Sequence, residues 1–311
     1  MEKIYDVIII GGGPGGYTAA IYTSRAGFET LVIEKFSAGG QMTQTQQIDN
    51  YPGFEEGIDG FTLGFKMQQG AERFGAVTLQ TEVTAVDLIG KVKTVTTADG
   101  VFSAKAVIIA SGAEHKHLGI ASEESLIGRG VGYCAACDGM FYRGKQVAVI
   151  GGGNSAAADA LLLSKICEKV TLVHRRDTLR AERAYHLPLM TASNVEFVWN
   201  SEVTDILADE KVTGVKITNR LDGSEQEISV DGVFISIGRE PSTALFKGQI
   251  DLDAGGYIIA DETTKTNIDG VFAVGDVRTK PLRQIVTAAS DGATASHFAE
   301  EYIANIKQID K

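Results

Sequence analysis

The strongest constraint on this chain is a strand, a glycine turn and a helix that occur twice. Ile4 to Ile10 is an apolar run interrupted only by Tyr5 and Asp6, the composition of a strand buried on both faces in a parallel sheet. It leads into Gly11-Gly12-Gly13-Pro14-Gly15-Gly16 and a small-residue helix predicted over Tyr17 to Arg25. In such a G-x-G-x-x-G turn, Gly11 makes the bend, Gly13 lets a pyrophosphate approach the backbone, and Gly16 lets helix and strand touch. The anion then rests on the helix N-terminus, where free N–H groups and the helix dipole favour it. The next strand, Thr30 to Ile33, ends in Glu34, an acid at the distance expected for binding ribose hydroxyls.

The second occurrence begins at Gln146. A strand to Ile150, the turn Gly151-Gly152-Gly153-Asn154-Ser155-Ala156 and an alanine- and leucine-rich helix from Ala156 to Ile166 repeat the first. Thr171-Leu172-Val173 repeats Thr30-Leu31-Val32, and that superposition puts Arg175 opposite Glu34. After the first copy, strands are predicted over 83–89, 92–97 and 101–110, with a turn at 98–100. After the second, 204–207, 212–218 and 230–237, with a turn at 221–223, repeat that meander. The chain thus holds two copies of one nucleotide-binding unit. The charge behind the second strand reverses between them. Glu34 suits free ribose hydroxyls, whereas Arg175 and Arg176, with Arg180 close behind, suit a 2′-phosphate better than a merely solvated basic face. The first copy therefore reads as a site for a plain-ribose nucleotide and the second as a site for NADPH.

Just before the second turn stands Cys134-Ala-Ala-Cys137-Asp138. Cysteines three apart lie on one face of a helical turn, within the roughly 4.4–6.8 Å of Cα separation that a disulfide tolerates. With three cysteines and no recognisable signal peptide, a redox-active pair is expected rather than a structural disulfide, in a cytoplasmic protein. Half a zinc site is the alternative, but neither Cys167 nor the five scattered histidines supplies a second ligand pair, so no metal is expected. Cys167 reads as buried packing. Trp199, His115, His117, His186 and His297 show no mutual pattern.

A length of 311 residues exceeds the usual single core, so two domains are expected. The net charge of −11 argues against a nucleic acid or an anionic membrane as partner. No apolar run approaches the roughly twenty residues of a membrane span. The long loop from Lys35 to Gly57, with Gly39-Gly40-Gln41 and Asn50-Tyr51-Pro52-Gly53, reads as a binding loop, and a helix is predicted over 58–74 behind it. Near the C-terminus, Gly270 to Gly275 is a buried strand delivering Asp276, placed either to accept hydrogen bonds from a polyol chain or to cap a helix. Arg283-Gln284 then opens an alanine-rich helix. This segment does not continue the second copy, so the second unit is an insertion in the first.

Taken together, Gly11 to Gly16, Gly39-Gly40-Gln41, Cys134 to Gly139, Gly151 to Ala156, His174-Arg175-Arg176-Asp177, Gly275-Asp276 and Arg283-Gln284 resemble the low-molecular-weight thioredoxin reductases, over essentially the whole chain. Ala135-Ala136 departs from the family's commoner Ala-Thr, and Ile285 stands where Ala is often found; neither carries chemistry. The predicted fold is α/β, with two Rossmann-like nucleotide-binding domains, each a parallel sheet plus a β-meander. The FAD-binding domain comprises 1–113 and 240–311, and the inserted NADPH-binding domain, 114–239, carries the cysteine pair.

The resemblance implies that FAD is held by Gly11, Gly13, Pro14, Gly16, Glu34, Lys35, Gly40, Gln41, Asn50, Gly112, Gly275, Asp276, Arg283 and Gln284. It implies that NADPH is held by Gly151, Gly153, Asn154, Ser155, His174, Arg175, Arg176 and Arg180. It further implies a homodimer in which NADPH reduces FAD, FAD reduces the Cys134–Cys137 disulfide, and the dithiol reduces thioredoxin or a thioredoxin-like protein. On this pattern Cys137 faces the flavin, Cys134 attacks the partner's disulfide, and Asp138 serves the thiols as acid or base. Because nicotinamide and disulfide must both reach the flavin, the inserted domain is expected to rotate about linkers near Gly112 to Leu118 and Gly238 to Pro241. A ferredoxin-linked or other flavin-dependent disulfide reductase with a different donor, and a redox sensor without turnover, are the competing readings.

Overall fold

A computed structural model describes residues 3–45 and 47–309. The first glycine motif organises a unit made of Met1–Glu114 and Glu240–Lys311. Its elements are β1 (Ile4–Ile10), α1 (Pro14–Arg25), β2 (Thr30–Glu34), α2 (Gly60–Glu72), β3 (Val77–Gln80), β4 (Val83–Asp87), β5 (Lys93–Thr97) and β6 (Gly100–Ile109). The strand β7 (Ala113–His115) leads out of this unit. The sheet order is β3-β2-β1-β6-β5-β4. The ten residues of β6 serve twice, pairing parallel with β1 from Ser103 to Ile109 and antiparallel with β5 from Gly100 to Ala104. Alternate residues of the central strands feed opposite faces, as the two-residue period requires. Val7, Ile9, Val32 and Ile108 pack on the side of α1 and α2, while Ile8, Ile10, Leu31 and Ile109 pack against Phe246, Ile250 and Ile258.

The second motif organises His115–Arg239. Here the elements are β8 (Val131–Gly132), α3 (Ala135–Asp138), β9 (Gln146–Ile150), α4 (Asn154–Ser164), β10 (Lys169–Val173), α5 (Arg183–Thr191), β11 (Val195–Val198), β12 (Ser201–Ala208), β13 (Val212–Asn219), β14 (Glu225–Ser229) and β15 (Gly232–Ile235). A parallel sheet runs β11-β10-β9-β15-β8, and the meander β12-β13-β14 is a separate sheet. The chain leaves through β16 (Arg239–Pro241), which pairs with β7. It then completes the first unit with β17 (Val271–Ala273), parallel to β6, and α6 (Ile285–Ile309).

Several predicted boundaries move, for identifiable reasons. The helices behind the two turns begin at Pro14 and Asn154, not at Tyr17 and Ala156, because Gly13 and Gly153 are themselves the N-caps and Pro14 is preorganised for the first helical position. The run 230–237 is not one strand of the meander. Asp231 donates its N–H to the carbonyl of Gln146 at 2.7 Å and accepts the Gln146 N–H at 2.9 Å, so the chain is hooked onto β9 here: the third strand of the meander is the earlier β14, and the strand within 230–237 is β15 of the parallel sheet.

The repeated Thr-Leu-Val is also misleading. Ile10 lies opposite Ile33 and Ile150 opposite Val173, with the Gly11 and Gly151 N–H groups bonding to the Ile33 and Val173 carbonyls at 2.8 and 3.0 Å. The residue matching Glu34 is therefore His174, and Arg175 follows one place later. The strand registers further match Val271 with Val131. By that correspondence Val274-Gly275-Asp276 and Cys134-Ala135-Ala136 occupy the same place in the two units.

Backbone contact holds α6 to α1. A Cβ placed on Gly292 would lie 2.2 Å from the Gly15 carbonyl oxygen and 2.9 Å from the Ala19 nitrogen. Neither backbone can yield without moving a helix. Gly292→Ala should therefore lower the free energy of unfolding by about 1–3 kcal/mol, seen as a lower urea midpoint; an unchanged midpoint would contradict the close packing.

Candidate functional site

In the first unit, the N-terminus of α1 is ringed by predicted residues. Gly11 has a φ of 105°, and the Gly12 N–H donates to Glu34 Oε2 at 2.6 Å while the Phe36 N–H donates to Oε1 at 2.9 Å. Glu34 is thus fixed directly behind the turn. Gly39 donates to the Gly12 carbonyl at 2.8 Å, which brings Gly40 over Gly13, and the Gln41 amide donates to the Ala113 carbonyl beside Gly112. Asn50 donates to Gln284 Oε1 at 3.0 Å, joining the long loop to the start of α6. The 3-10 turn Gly275–Val277 follows β17, with Gly275 at a φ of 73°. Lys35 is not gathered in; its ammonium pairs with the exposed Glu82 at 2.8 Å. The Arg283 guanidinium lies 4.2 Å over the Tyr257 ring, and its Nε is buried without a protein partner.

The second unit has the corresponding cradle with different chemistry. His174 is 4% exposed and its ring fills the space where a Gly152 side chain would be, within 2.3 Å of that Cβ. Burial, then the charges of Arg180, Arg176 and Arg175, push its pKa down, so the imidazole is neutral, and its Nε2 is buried without a partner. Arg175, Arg176 and Arg180 are exposed, and the Arg180 N–H is tied to the Gly152 carbonyl at 2.7 Å. Ser155 is exposed at the first turn of α4. The Asn154 side chain is engaged with Glu182, donating to its carboxylate at 2.9 Å and accepting its N–H at 2.8 Å.

Cys134 and Cys137 form a disulfide with Cα atoms 5.2 Å apart. The two do not share a helical face as the spacing suggested. Cys134 is extended (φ −142°, ψ 98°) and caps α3, its carbonyl accepting the N–H groups of Cys137 at 3.1 Å and Asp138 at 3.0 Å. Asp138 closes α3 with a carboxylate turned back toward β8, 3.1 Å from where a Cβ on Gly132 would stand. Burial pushes its pKa up to about 6. Cys167 is buried, and burial with the charge of Asp231 pushes its thiol up to about 11. Among the described residues no group of His, Cys, Asp and Glu could hold a metal ion.

The histidines are less scattered than their positions suggest. The buried Glu123 carboxylate accepts the Tyr133 hydroxyl at 2.7 Å and the Gly119 N–H at 3.0 Å, with His117 Nδ1 3.1 Å away, and the His115 ring stacks on Tyr133 at 4.8 Å. This cluster anchors the residue immediately before Cys134. Its members fall on no common helical or strand spacing, so no periodicity could have revealed it.

The family pattern of the pyridine nucleotide-disulphide oxidoreductases matches residues 5–292. The thioredoxin reductase of Listeria monocytogenes is 49% identical over 308 residues, covering 99% of this chain and 96% of that protein. That of Streptomyces coelicolor is 47% identical over 314 residues, covering 100% and 98%. The crystal structure of thioredoxin reductase from Streptococcus pyogenes superposes with a TM-score of 0.91 at 41% identity, covering 98% of this chain and 100% of that one. With glycine turns, paired cysteines and whole-chain identity in agreement, the chain belongs to the pyridine nucleotide-disulphide oxidoreductase family, in the branch formed by the thioredoxin reductases.

Proposed function

We propose that the protein is an NADPH-dependent, FAD-containing thioredoxin-disulfide reductase that works as a homodimer in the cytoplasm. The observation that carries the reading is the Cys134–Cys137 disulfide in the same unit as a glycine turn bordered by arginines. FAD fits the first unit. Glu34 stands ready for ribose hydroxyls, Gly13 faces open space, and the buried Nε of Arg283 wants an acceptor such as a phosphate oxygen. NADPH fits the second, where Arg175, Arg176 and Arg180 offer charge to a 2′-phosphate and His174 Nε2 offers an unused ring nitrogen. A ferredoxin-linked donor would leave that basic rim without a purpose. Among the described residues no helix is long and apolar enough to cross a membrane.

The overall reaction is NADPH, a proton and a protein disulfide giving NADP⁺ and a protein dithiol. FAD, when bound, supplies the link between a two-electron hydride donor and a dithiol. The remaining steps belong to the chain. Once reduced, Cys134 attacks the thioredoxin disulfide as a thiolate, forming a mixed disulfide and expelling one thioredoxin thiolate. Cys137 then attacks Cys134, restoring the internal disulfide and releasing the second. Asp138, with its pKa raised toward the working range, gives a proton to the departing thiolate and recovers one from the attacking thiol. Met140 and Phe141, exposed just beyond α3, offer apolar contact to the incoming protein. Because nicotinamide and disulfide must each reach the flavin, the inserted unit turns as a rigid body about the crossings at β7 and β16.

The test of the reading is the visible spectrum of the purified protein. It should show a flavin that NADPH bleaches and that oxidised thioredoxin restores. Cys137→Ser should keep the bleaching and lose thioredoxin reduction; retained turnover would overturn the redox assignment. Replacing Arg175 and Arg176 together by neutral residues removes charge-assisted bonds that contribute on the order of 1.5–3 kcal/mol each. The variant should lose affinity for NADPH far more than for NADH, and an unchanged preference would remove the 2′-phosphate from this site. For Asp138 the sign follows from a folded pKa above the unfolded one. Its ionisation penalty is absent well below the ordinary carboxylate pKa and grows until the pH passes about 6. Asp138→Asn in the oxidised protein should therefore gain in Tm over the parent as the pH rises from about 5 to 8. A pH-independent difference would show that the carboxyl is not buried as described.

A further inference from the structure

Asp291, on α6, is 6% exposed, and its carboxylate is filled by donors from three residues of the stretch 275–280. Arg278 reaches it with both arms of its fork, Nε to Oδ2 at 2.9 Å and Nη2 to Oδ1 at 2.7 Å. Lys280 Nζ donates to Oδ2 at 2.7 Å and the backbone N–H of Gly275 to the same oxygen at 2.8 Å. Burial alone would raise the carboxyl's pKa, but these donors hold it below the usual range, so the group is ionised at neutral pH. Taking such a cluster out of water returns little net stability compared with apolar packing of the same volume. Stability alone does not explain it.

What the cluster does is visible in the segments it joins. The bond to Gly275 pins a left-handed residue at the start of the turn that carries Asp276. Lys280 also donates to the Thr287 carbonyl at 3.2 Å, and Thr287 Oγ1 accepts the Gln284 N–H at 3.1 Å. Arg283 Nη2 donates to the carbonyl of Arg278 at 3.4 Å. One carboxylate thus joins α6 to the 275–280 stretch, and through Lys280 and Arg278 links the 275–276 turn to the 283–284 segment that opens the helix.

We propose that Asp291 is a positioning residue for FAD: it does not touch the cofactor but locks the Gly275–Asp276 and Arg283–Gln284 segments in the one arrangement that grips it. The proposal rests on the reading that the first unit holds FAD. Asp291→Asn keeps the shape and removes the charge that holds four donors. In the holoenzyme, FAD release after dilution, followed by the fluorescence of the freed flavin, should accelerate by roughly tenfold or more, equivalent to about 1.4 kcal/mol. The flavin that remains bound should fluoresce more strongly, and NADP⁺ affinity at the second unit should not change.

A purely structural role would lower Tm and leave the release rate and bound-flavin fluorescence at parental values; that result overturns the proposal. Should Asp291→Asn fail to fold with flavin, Arg278→Lys decides. It keeps the charge and the carboxylate but breaks the fork, and it should release FAD several-fold faster; release at the parental rate again overturns the proposal. A parent protein that neither contains nor takes up FAD would overturn the reading of the first unit instead.

Discussion

The first nucleotide turn depends on strand and helix backbones meeting with no side chain between them, and both turns depend on a glycine pressed against the end of a neighbouring strand. A Cβ on Gly16 would stand 2.0 Å from the Gly11 oxygen, and one on Gly11 would stand 2.4 Å from the Ala110 oxygen. In the second unit a Cβ on Gly151 would stand 2.3 Å from the Ser236 oxygen just past β15, and 2.9 Å from the Ala156 Cβ at the place of Gly16. That contact sets the rest of each site. It turns the first amides of α1 and of α4 each toward the crevice of its own unit, with the residue at the end of the neighbouring strand, Glu34 or His174, beneath the turn. Gly12 and Gly152 are then small by necessity, because the Glu34 and His174 side chains occupy the space below them.

On this shared frame, chemistry is changed by substitution at matching places. Behind the turn, an acid that accepts a backbone N–H is exchanged for a neutral imidazole flanked by arginines. On the proposed reading a ligand bearing free hydroxyls is exchanged with it for one bearing an extra phosphate. After β17 and β8 the exchange is more consequential. The turn at Gly275-Asp276 is held by Asp291, while the matching turn at Ala135-Ala136 is enclosed by two cysteines. The second copy of the unit thus carries a redox group at the position its twin is proposed to use for binding.

Much of this was legible in the chain, and the limits are physical. The turns, their flanking strands and the cysteine pair each depend on residues adjacent in sequence, so their spacing carries the information. The register between the copies did not follow from the repeated Thr-Leu-Val. Alternation in a buried strand tolerates Thr or Val at either position, and only the hydrogen bond from the turn glycine to Ile33 or Val173 determines the match. The place of 230–237 in the parallel sheet rather than the meander was hidden because its apolar residues suit either sheet, and a hook through Asp231 acts across 85 residues. Asp291 escaped notice for the same reason. On its own helix it reads as an ordinary polar residue, and its partners lie 11 to 16 residues away on segments without periodic pattern.

The three sulfurs show how local surroundings, rather than residue type, allot reactivity. Cys167 packs among Leu163, Val170 and Leu189 at 6% exposure, and burial, with the charge of Asp231, holds its thiol near pKa 11. Almost none of it is thiolate at neutral pH, and the thiolate is the nucleophile. Cys134 and Cys137 lie at the opening of a short helix, partly exposed, with their chain held on one side by the Tyr133–Glu123 bond and on the other by the carboxylate-bearing end of α3. A disulfide there can be approached, opened and closed again without disturbing the sheet behind it, since β8 contributes only two residues and ends before Cys134. Cys167, in the same core cluster as Ala135, is kept out of that exchange by burial and by its raised pKa rather than by distance along the fold.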